Sequence, residues 1–355
     1  MISLKRCRGK DFSVWIPVIF VLAAVIRVLF LDLKPTHFDE GVNGWFVEQI
    51  KTNGTFNYNP ENFHGPLYFY LLYVVDFIFG SEIYIHRFVP ILCSLGAIFT
   101  FYKTSLFLKE KHLAGVLALS LSPALVFYAR YSIHESLLLF GFSIWFYGCI
   151  ELLVKASQKA LWLLAIGLAV MATTKETFLI FVINSVIAFL IVRLWQKKPL
   201  FADKNKNIDI YLPLTAVVIF IVFLYSELFT SFSQVKEFFT AFEVWKGTGF
   251  KHTGHEKSFF YWFDLLFKYE WVFLVGFVVS LPKMLSKNKV QQFMAVYAFG
   301  NLLAFSLIPY KTPWCIIALL FPYAFFLASN SKIVQIGVYT VLLAMGIRSI
   351  KLNYV

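Results

Sequence analysis

Carboxylates, imidazoles and fixed cations occur in a few short segments of an otherwise apolar chain. Asp39 and Glu40 are adjacent acids, His64 follows a turn, and Arg130, His134 and Glu135 share the segment 128–136. Lys175 and Glu176 interrupt an apolar run, His252, His255 and Glu256 lie in a glycine-rich stretch, and Lys311 stands between Pro309 and Pro313. A carboxylate can take a proton from an attacking hydroxyl. A lysine flanked by prolines and aromatics is held in place and can meet a phosphate. Each residue also has a plainer reading. Asp39 can simply cap a helix, His64 can be a headgroup-level histidine, Arg130 can pair with its acidic neighbour, Lys175 and Glu176 can terminate helices, and Lys311 can snorkel. His252, His255 and Glu256 as metal ligands on a mobile loop are a low-grade signal.

The elements that must position these groups are membrane helices. Of 355 residues 59% are hydrophobic, 19% aromatic and only 15% charged, which excludes an ordinary soluble domain. With 42 Phe and 18 Tyr spread along nearly the whole length, a single membrane domain over 1–355 is expected. The net charge of +12 would suggest nucleic acid in a soluble protein, but here the basic residues alternate with the spans. Cys7, Cys93, Cys149 and Cys315 show no CxxC spacing, and three lie in apolar runs, so they read as helix packing.

Segments of about 20 apolar residues fall at 13–31, 84–108, 112–129, 136–154, 177–195, 209–229 and 290–308, with shorter ones at 160–173, 314–329 and 332–348. A further one at 260–281 has its first half at the interface, because Asp264, Lys268 and Glu270 lie in it. About eleven transmembrane helices result. The first run lacks a small-x-small cleavage pattern, so it reads as an uncleaved helix. Arg27 is the clear basic residue deep in a span.

The piece 66–79 is decided by charge. If it does not cross, Lys5, Arg6, Arg8, Lys10, Lys103, Lys109, Lys155, Lys159, Arg193, Lys197, Lys283, Lys287 and Lys289 all face the cytoplasm; if it does, successive loops violate the positive-inside rule. It therefore reads as an interfacial helix, with the N-terminus cytoplasmic. The acids then collect mainly in two external segments, 32–83 and 230–270, and within the second the loop 230–262 is expected to be flexible and substrate-covering.

In the first loop Trp45, Phe46, Gln49 and Ile50 share one helical face, Gly54 is a C-cap and Asp39 lies near the N-terminus, which describes a short amphipathic helix on the membrane surface. Its dipole favours an ionised Asp39, hence a base for a substrate whose tail stays in lipid. Glu40 would orient it or bind an acceptor.

His37-Phe38-Asp39-Glu40, then His64-Gly65-Pro66-Leu67-Tyr68, then Gly80 with His86-Arg87 at the approach to the second helix resemble the membrane-embedded GT-C glycosyltransferases that use polyprenyl-phosphate sugars. Within them the pattern is similar to the aminoarabinose transferase and protein O-mannosyltransferase group, especially the prokaryotic subfamily labelled flippase-associated, over residues 10–330. The resemblance implies Asp39 as the catalytic acid and Glu135 as a second acid lining the site. It also implies a covering loop around His255 and a lysine, Lys311, near the lipid phosphate. Arg130, His64 and His255 are further candidates for the phosphate, and Tyr68, Lys175, Glu176, His252 and Glu256 for the acceptor or the covering loop. The implied reaction is transfer of a sugar, with inversion, from a polyprenyl-phosphate carrier to a lipid, glycan or protein acceptor on the external face. It requires no cofactor, and a divalent metal is possible without being expected. The competing expectations are a transporter or flippase for a lipid-linked glycan, weakened by the lack of a visible inverted repeat, and a non-catalytic component of a glycan-assembly complex.

Overall fold

The computed structural model describes residues 15–61, 64–110, 113–197, 208–250, 254–328 and 331–354. The protein is all-α and polytopic. In chain order its α-helices are α1 (Trp15–Val28), α2 (Phe38–Asn53), α3 (Leu67–Phe79), α4 (Ile83–His86), α5 (Phe88–Leu108), α6 (Leu113–Leu121), α7 (Pro123–Ala129), α8 (Glu135–Val154) and α9 (Gln158–Ala172). There follow α10 (Phe178–Gln196), α11 (Tyr211–Tyr225), α12 (Glu237–Phe250), α13 (Tyr261–Tyr269), α14 (Trp271–Ser280), α15 (Lys289–Leu307), α16 (Ile316–Tyr323) and α17 (Lys332–Tyr354).

Five helical segments are long and apolar enough to cross a membrane alone: Ile83–Leu108, α8, α10, α15 and α17. The shorter α1, α9, α11, the α13–α14 pair, Pro313–Phe326 and the α6–α7 pair complete the eleven expected crossings among the described residues. Small residues let these helices approach closely. A Cβ on Gly167 of α9 would lie 2.5 Å from the Trp145 nitrogen of α8, and one on Gly148 would lie 2.9 Å from that of Leu164.

Two crossings are broken in the middle, and the breaks complete each other. Pro123 has no N–H, which leaves the Leu119 carbonyl of α6 without its helical partner. The Ala124 N–H bonds to Glu270 Oε1 (2.7 Å), which frees the Ser120 carbonyl as well. Arg27 of α1 meets both, with Nη2 on Leu119 O (3.2 Å) and Nη1 on Ser120 O (3.1 Å), while its Nε donates to Ser94 Oγ at 3.0 Å. Glu270, at the α13–α14 junction, also accepts from Ser122 Oγ at 2.9 and 3.0 Å. The guanidinium thus sits at the C-terminus of α6, the end that helix dipoles give to a cation, and the Glu270 side chain takes up the free N–H at the N-terminus of α7. Both side chains are fully enclosed. Truncating either one leaves buried polar groups at the break unpaired, at about 1–3 kcal/mol for each group, so Arg27→Ala and Glu270→Ala are both expected to destabilise the fold. Glu270→Gln, which keeps an acceptor for Ala124, should lose less. Denaturant unfolding in detergent checks the order.

α3 does not cross. Its N-terminal side is pinned to the α9–α10 turn by Gly65 N to Thr174 O (3.0 Å) and Leu67 N to Thr173 O (2.9 Å). Its other end carries Asp76, which pairs with Lys51 of α2 (2.6 Å) and His86 of α4 (3.1 Å). Both ends therefore touch segments at one end of the bundle, and α3 lies along that end beside α2, as the charge pattern implies. The segment expected as a flexible loop at 230–262 is largely helical in its described part: a 3-10 turn (Phe232–Lys236) leads into α12. Residues 254–257 are then pinned to the α15–α16 junction by Lys257 N to Pro309 O (3.1 Å) and Lys311 N to His255 O (3.1 Å).

Candidate functional site

The site lies where α2, the α7–α8 junction, the α9–α10 turn, α12 and the α15–α16 junction meet. α2 begins with His37 as its N-cap, so Asp39 sits inside the first turn; Gly54 closes the helix in the left-handed region (φ 81°), as the sequence implies. The buried face is Glu40, Asn43, Phe46, Val47 and Ile50, which leaves Trp45 outside it.

Glu40 holds this helix in place. Its Oε1 accepts from Arg87 Nε (2.8 Å) and Ser132 N (2.7 Å), and its Oε2 from Arg87 Nη2 (2.8 Å) and His37 N (2.9 Å). These four bonds occupy a carboxylate's acceptor positions, so Glu40 has none left for an acceptor substrate. Asn43 Nδ2 adds a bond to Ser132 O at 2.7 Å. Glu40→Ala would leave Arg87 buried and unpaired, and a loss of about 3–5 kcal/mol is expected in thermal or denaturant unfolding.

Asp39 is different. Its carboxylate is partly open, 39% exposed, and stands 3.9 Å from His37 Nδ1. Burial pushes its carboxyl above the usual aspartate range; His37 opposes this, Glu135 adds to it, and Lys175 and His64 oppose it. The helix dipole favours the ionised carboxylate, as the sequence implies, and desolvation acts against it.

Glu135, the first residue of α8, pairs with Lys175 from the α9–α10 turn, and both are buried. Burial alone would lower the Lys175 ammonium, but the carboxylate against it raises it overall. In the same turn Glu176 Oε2 lies 3.0 Å from His64 Nδ1, and Glu176 Oε1 accepts from Tyr58 Oη at 3.0 Å. The His64 ring stacks on Trp245 of α12 (4.9 Å between centroids, 27° between planes). His134 is buried beside it, and burial, then His64 and Lys175, hold its imidazole well below the ordinary value.

These groups border a cavity of about 270 Å³ whose walls include His64, Lys175, Glu176, Lys246 and Lys311. Trp245, Trp262, Tyr310 and Trp314 supply much of its aromatic lining. Asp39 does not line it but is near enough to feel the charges of Lys175 and His64, and the adjacent His37 packs edge-on against Trp314 (5.7 Å, 86°). Lys311 donates to Ile308 O (2.5 Å) and Lys257 O (3.2 Å), leaving one of an ammonium's three N–H groups for a ligand. Burial lowers its proton affinity.

Several expected site residues are placed elsewhere. Arg130 bonds to Asn353 O (3.1 Å), Leu29 O (3.0 Å) and Phe30 O (2.6 Å) and lies against the Tyr354 ring, so its guanidinium ties α1 and α17 together instead of facing the cavity. Tyr68 is fully buried, bonded to Ser132 Oγ (2.9 Å), and supports the His134 ring rather than reaching an acceptor. The His255 ring is exposed and packs on Tyr310, and Glu256 accepts from Gly254 N at 3.1 Å; neither lines the cavity. His252 lies outside the described residues. Among the described residues no three His, Cys, Asp or Glu side chains converge as a metal-ligand set. Tyr58, Trp245, Lys246 and Trp314 were not singled out by sequence; Tyr58 sits in a polar turn and shows its role only through its contact with Glu176.

No protein-family model and no curated protein matches the chain by sequence. Solved structures match by shape. ArnT from Cupriavidus metallidurans bound to undecaprenyl phosphate superposes with a TM-score of 0.69 at 17% identity, covering 89% of this chain and 59% of that one. The apo state of the same protein gives 0.68 at 18% identity, covering 88% and 59%. The chain thus shares the fold of these ArnT structures, and it spans about three fifths (59%) of the length of the structures it matches.

Proposed function

We propose that the protein is a glycosyltransferase that moves a sugar from a polyprenyl-phosphate carrier to a hydroxyl acceptor at the external face of the cytoplasmic membrane. The observation that carries this reading is the pairing of one partly open carboxylate, Asp39, with a neighbouring aromatic cavity that holds His64, Lys246 and Lys311. Three other acids at this end are engaged: Glu40 by Arg87, Glu135 by Lys175, and Glu176 by His64 and Tyr58. That leaves Asp39 to take the acceptor's proton. The acceptor oxygen attacks the anomeric carbon, the bond to phosphate breaks with its electron pair on the phosphate oxygen, and His64, Lys246 and Lys311 meet the growing charge. A single displacement inverts the anomeric centre. The aromatic walls suit both a sugar face and an isoprenoid chain.

Transport of an intact lipid-linked glycan is the competing reading. It needs uncommitted charges inside the bundle, whereas Arg27 and Glu270 are both bound to the backbone of the broken helix. The test is to reconstitute the purified protein in vesicles with a polyprenyl-phosphate sugar and an acceptor extract from cell envelopes. Release of polyprenyl phosphate with formation of a new glycoside supports transfer; movement of donor across the bilayer without glycoside formation overturns it.

A further inference from the structure

Three residues from three separate segments form one hydrogen-bonded chain that ends at the cavity. Tyr58, in the turn after α2, donates from Oη to Glu176 Oε1 (3.0 Å), and Glu176 Oε2 lies 3.0 Å from His64 Nδ1. A carboxylate only accepts, so His64 Nδ1 carries the hydrogen and Nε2 is the nitrogen left for a ligand. Tyr58 occupies the second carboxylate oxygen, so the carboxylate cannot turn away. The Tyr58 ring is itself wedged edge-on against Tyr225 (4.9 Å, 88°), whose hydroxyl donates to Ala172 O at 3.0 Å.

The backbone is fixed to match. Gly65 and Leu67 bond to the α9–α10 turn that carries Glu176, and a Cβ at position 65 would collide with the Thr173 carbonyl. Stacking on Trp245 and edge contact with His134 (5.1 Å, 72°) set the plane of the His64 ring. The charged and titratable groups around it are Glu176 and Lys175 from the turn, His134 from the start of α8, and Asp39 from α2. Lys246 and Lys311 face it from the same cavity.

Building on the transferase reading, we infer that Tyr58 and Glu176 are positioning residues that fix the tautomer and direction of His64, so that His64 Nε2 addresses the phosphate oxygen of the lipid carrier. Glu176 is thereby removed from the residues expected to touch the acceptor. For Nε2 to donate to a phosphate oxygen it must bear a hydrogen as Nδ1 does, so the form that binds the carrier has a hydrogen on each nitrogen. During transfer the acceptor proton goes to Asp39 and the carbon–oxygen bond to phosphate breaks with its electron pair on the phosphate. His64 Nε2–H donates a hydrogen bond to that oxygen without surrendering its proton. A carboxylate bonded to the far nitrogen of a histidine fixes the orientation of the ring, so its loss is felt at the other nitrogen.

The experiment is a double-mutant cycle with H64A, E176Q and the double variant, with Y58F as a further arm. Two quantities are read per folded molecule in detergent: affinity for polyprenyl phosphate alone, and turnover of a polyprenyl-phosphate sugar. H64A and E176Q should each weaken polyprenyl phosphate binding about tenfold or more, as expected for a hydrogen bond to a charged group. The double variant should be no weaker than H64A, and Y58F should lose about threefold with its own effect vanishing in the H64A background. Additive losses, unchanged binding in E176Q, or a wild-type protein that does not bind polyprenyl phosphate would each overturn the inference. A purely structural Glu176 would lower the melting temperature and leave binding per folded molecule intact, which also overturns it. Binding is read without turnover, so absence of transfer with binding and coupling preserved counts against the transferase reading alone.

Discussion

Asp39→Asn is expected to lower turnover by about 10²–10⁴-fold, the usual contribution of a general base, with no comparable fall in melting temperature. Stability should survive because α2 is anchored through Glu40, Arg87 and Ser132, and not through the Asp39 carboxylate. The pH dependence follows from the sign of the shift. Burial raises the Asp39 carboxyl above its ordinary 3.8, Glu135 adds to this, and His37, Lys175 and His64 only partly offset it. The base is the deprotonated form, so activity falls as pH drops through a value above 3.8, and that acid limb should vanish in the Asn variant. Near-normal turnover in Asp39→Asn, or an acid limb at or below 3.8, would defeat the assignment.

Replacing Lys175 by Met should have the second largest effect, through both stability and chemistry. It leaves Glu135 buried without its cation, a loss of about 3–5 kcal/mol. It also removes a positive charge that lowers the Asp39 carboxyl, so the acid limb moves to higher pH. Glu135→Gln removes the anion that raises Asp39, so its limb moves to lower pH. The double variant has neither charge, and it should recover much of the lost stability and a limb close to that of the wild type. Unfolding curves and kcat/KM profiles of the three variants decide this; two single variants whose limbs move in the same direction would show that the pair does not act on Asp39.

The architecture was legible because hydropathy and charge act over whole segments. Arg193 and Lys197 close α10 and Lys289 opens α15, and that alternation of charge along the chain is what assigns 66–79 to the surface from sequence. What stayed hidden depends on where single side chains reach. Arg130 sits among polar neighbours at a helix boundary and looks like a phosphate ligand, yet the free carbonyls of Leu29, Phe30 and Asn353 claim it. The glycines at 247, 249 and 254 made 230–262 look like a loop, but the apolar face of α12 packs Phe238 and Phe242 against Phe178 and so stabilises a helix. Glu40 and Arg87 lie in two of the motifs that carried the family resemblance, and the fork between them explains why those motifs occur together. Glu176 and Tyr58 are far apart in sequence, and only the fold brings them to His64.

The α6–α7 break also constrains biogenesis. Arg27 is synthesised first, and a lone guanidinium in a transmembrane helix is disfavoured by about 2.5–3.5 kcal/mol on insertion scales. Within α1 it finds only Ala23 O; its other oxygen ligands arrive with Ser94, Leu119 and Ser120, and Glu270, which completes the break from the other side, arrives late in translation. The bonds that hold Arg27 inside the bundle therefore exist only after α6 has been made, and the α6–α7 break is completed only when the α13–α14 junction follows.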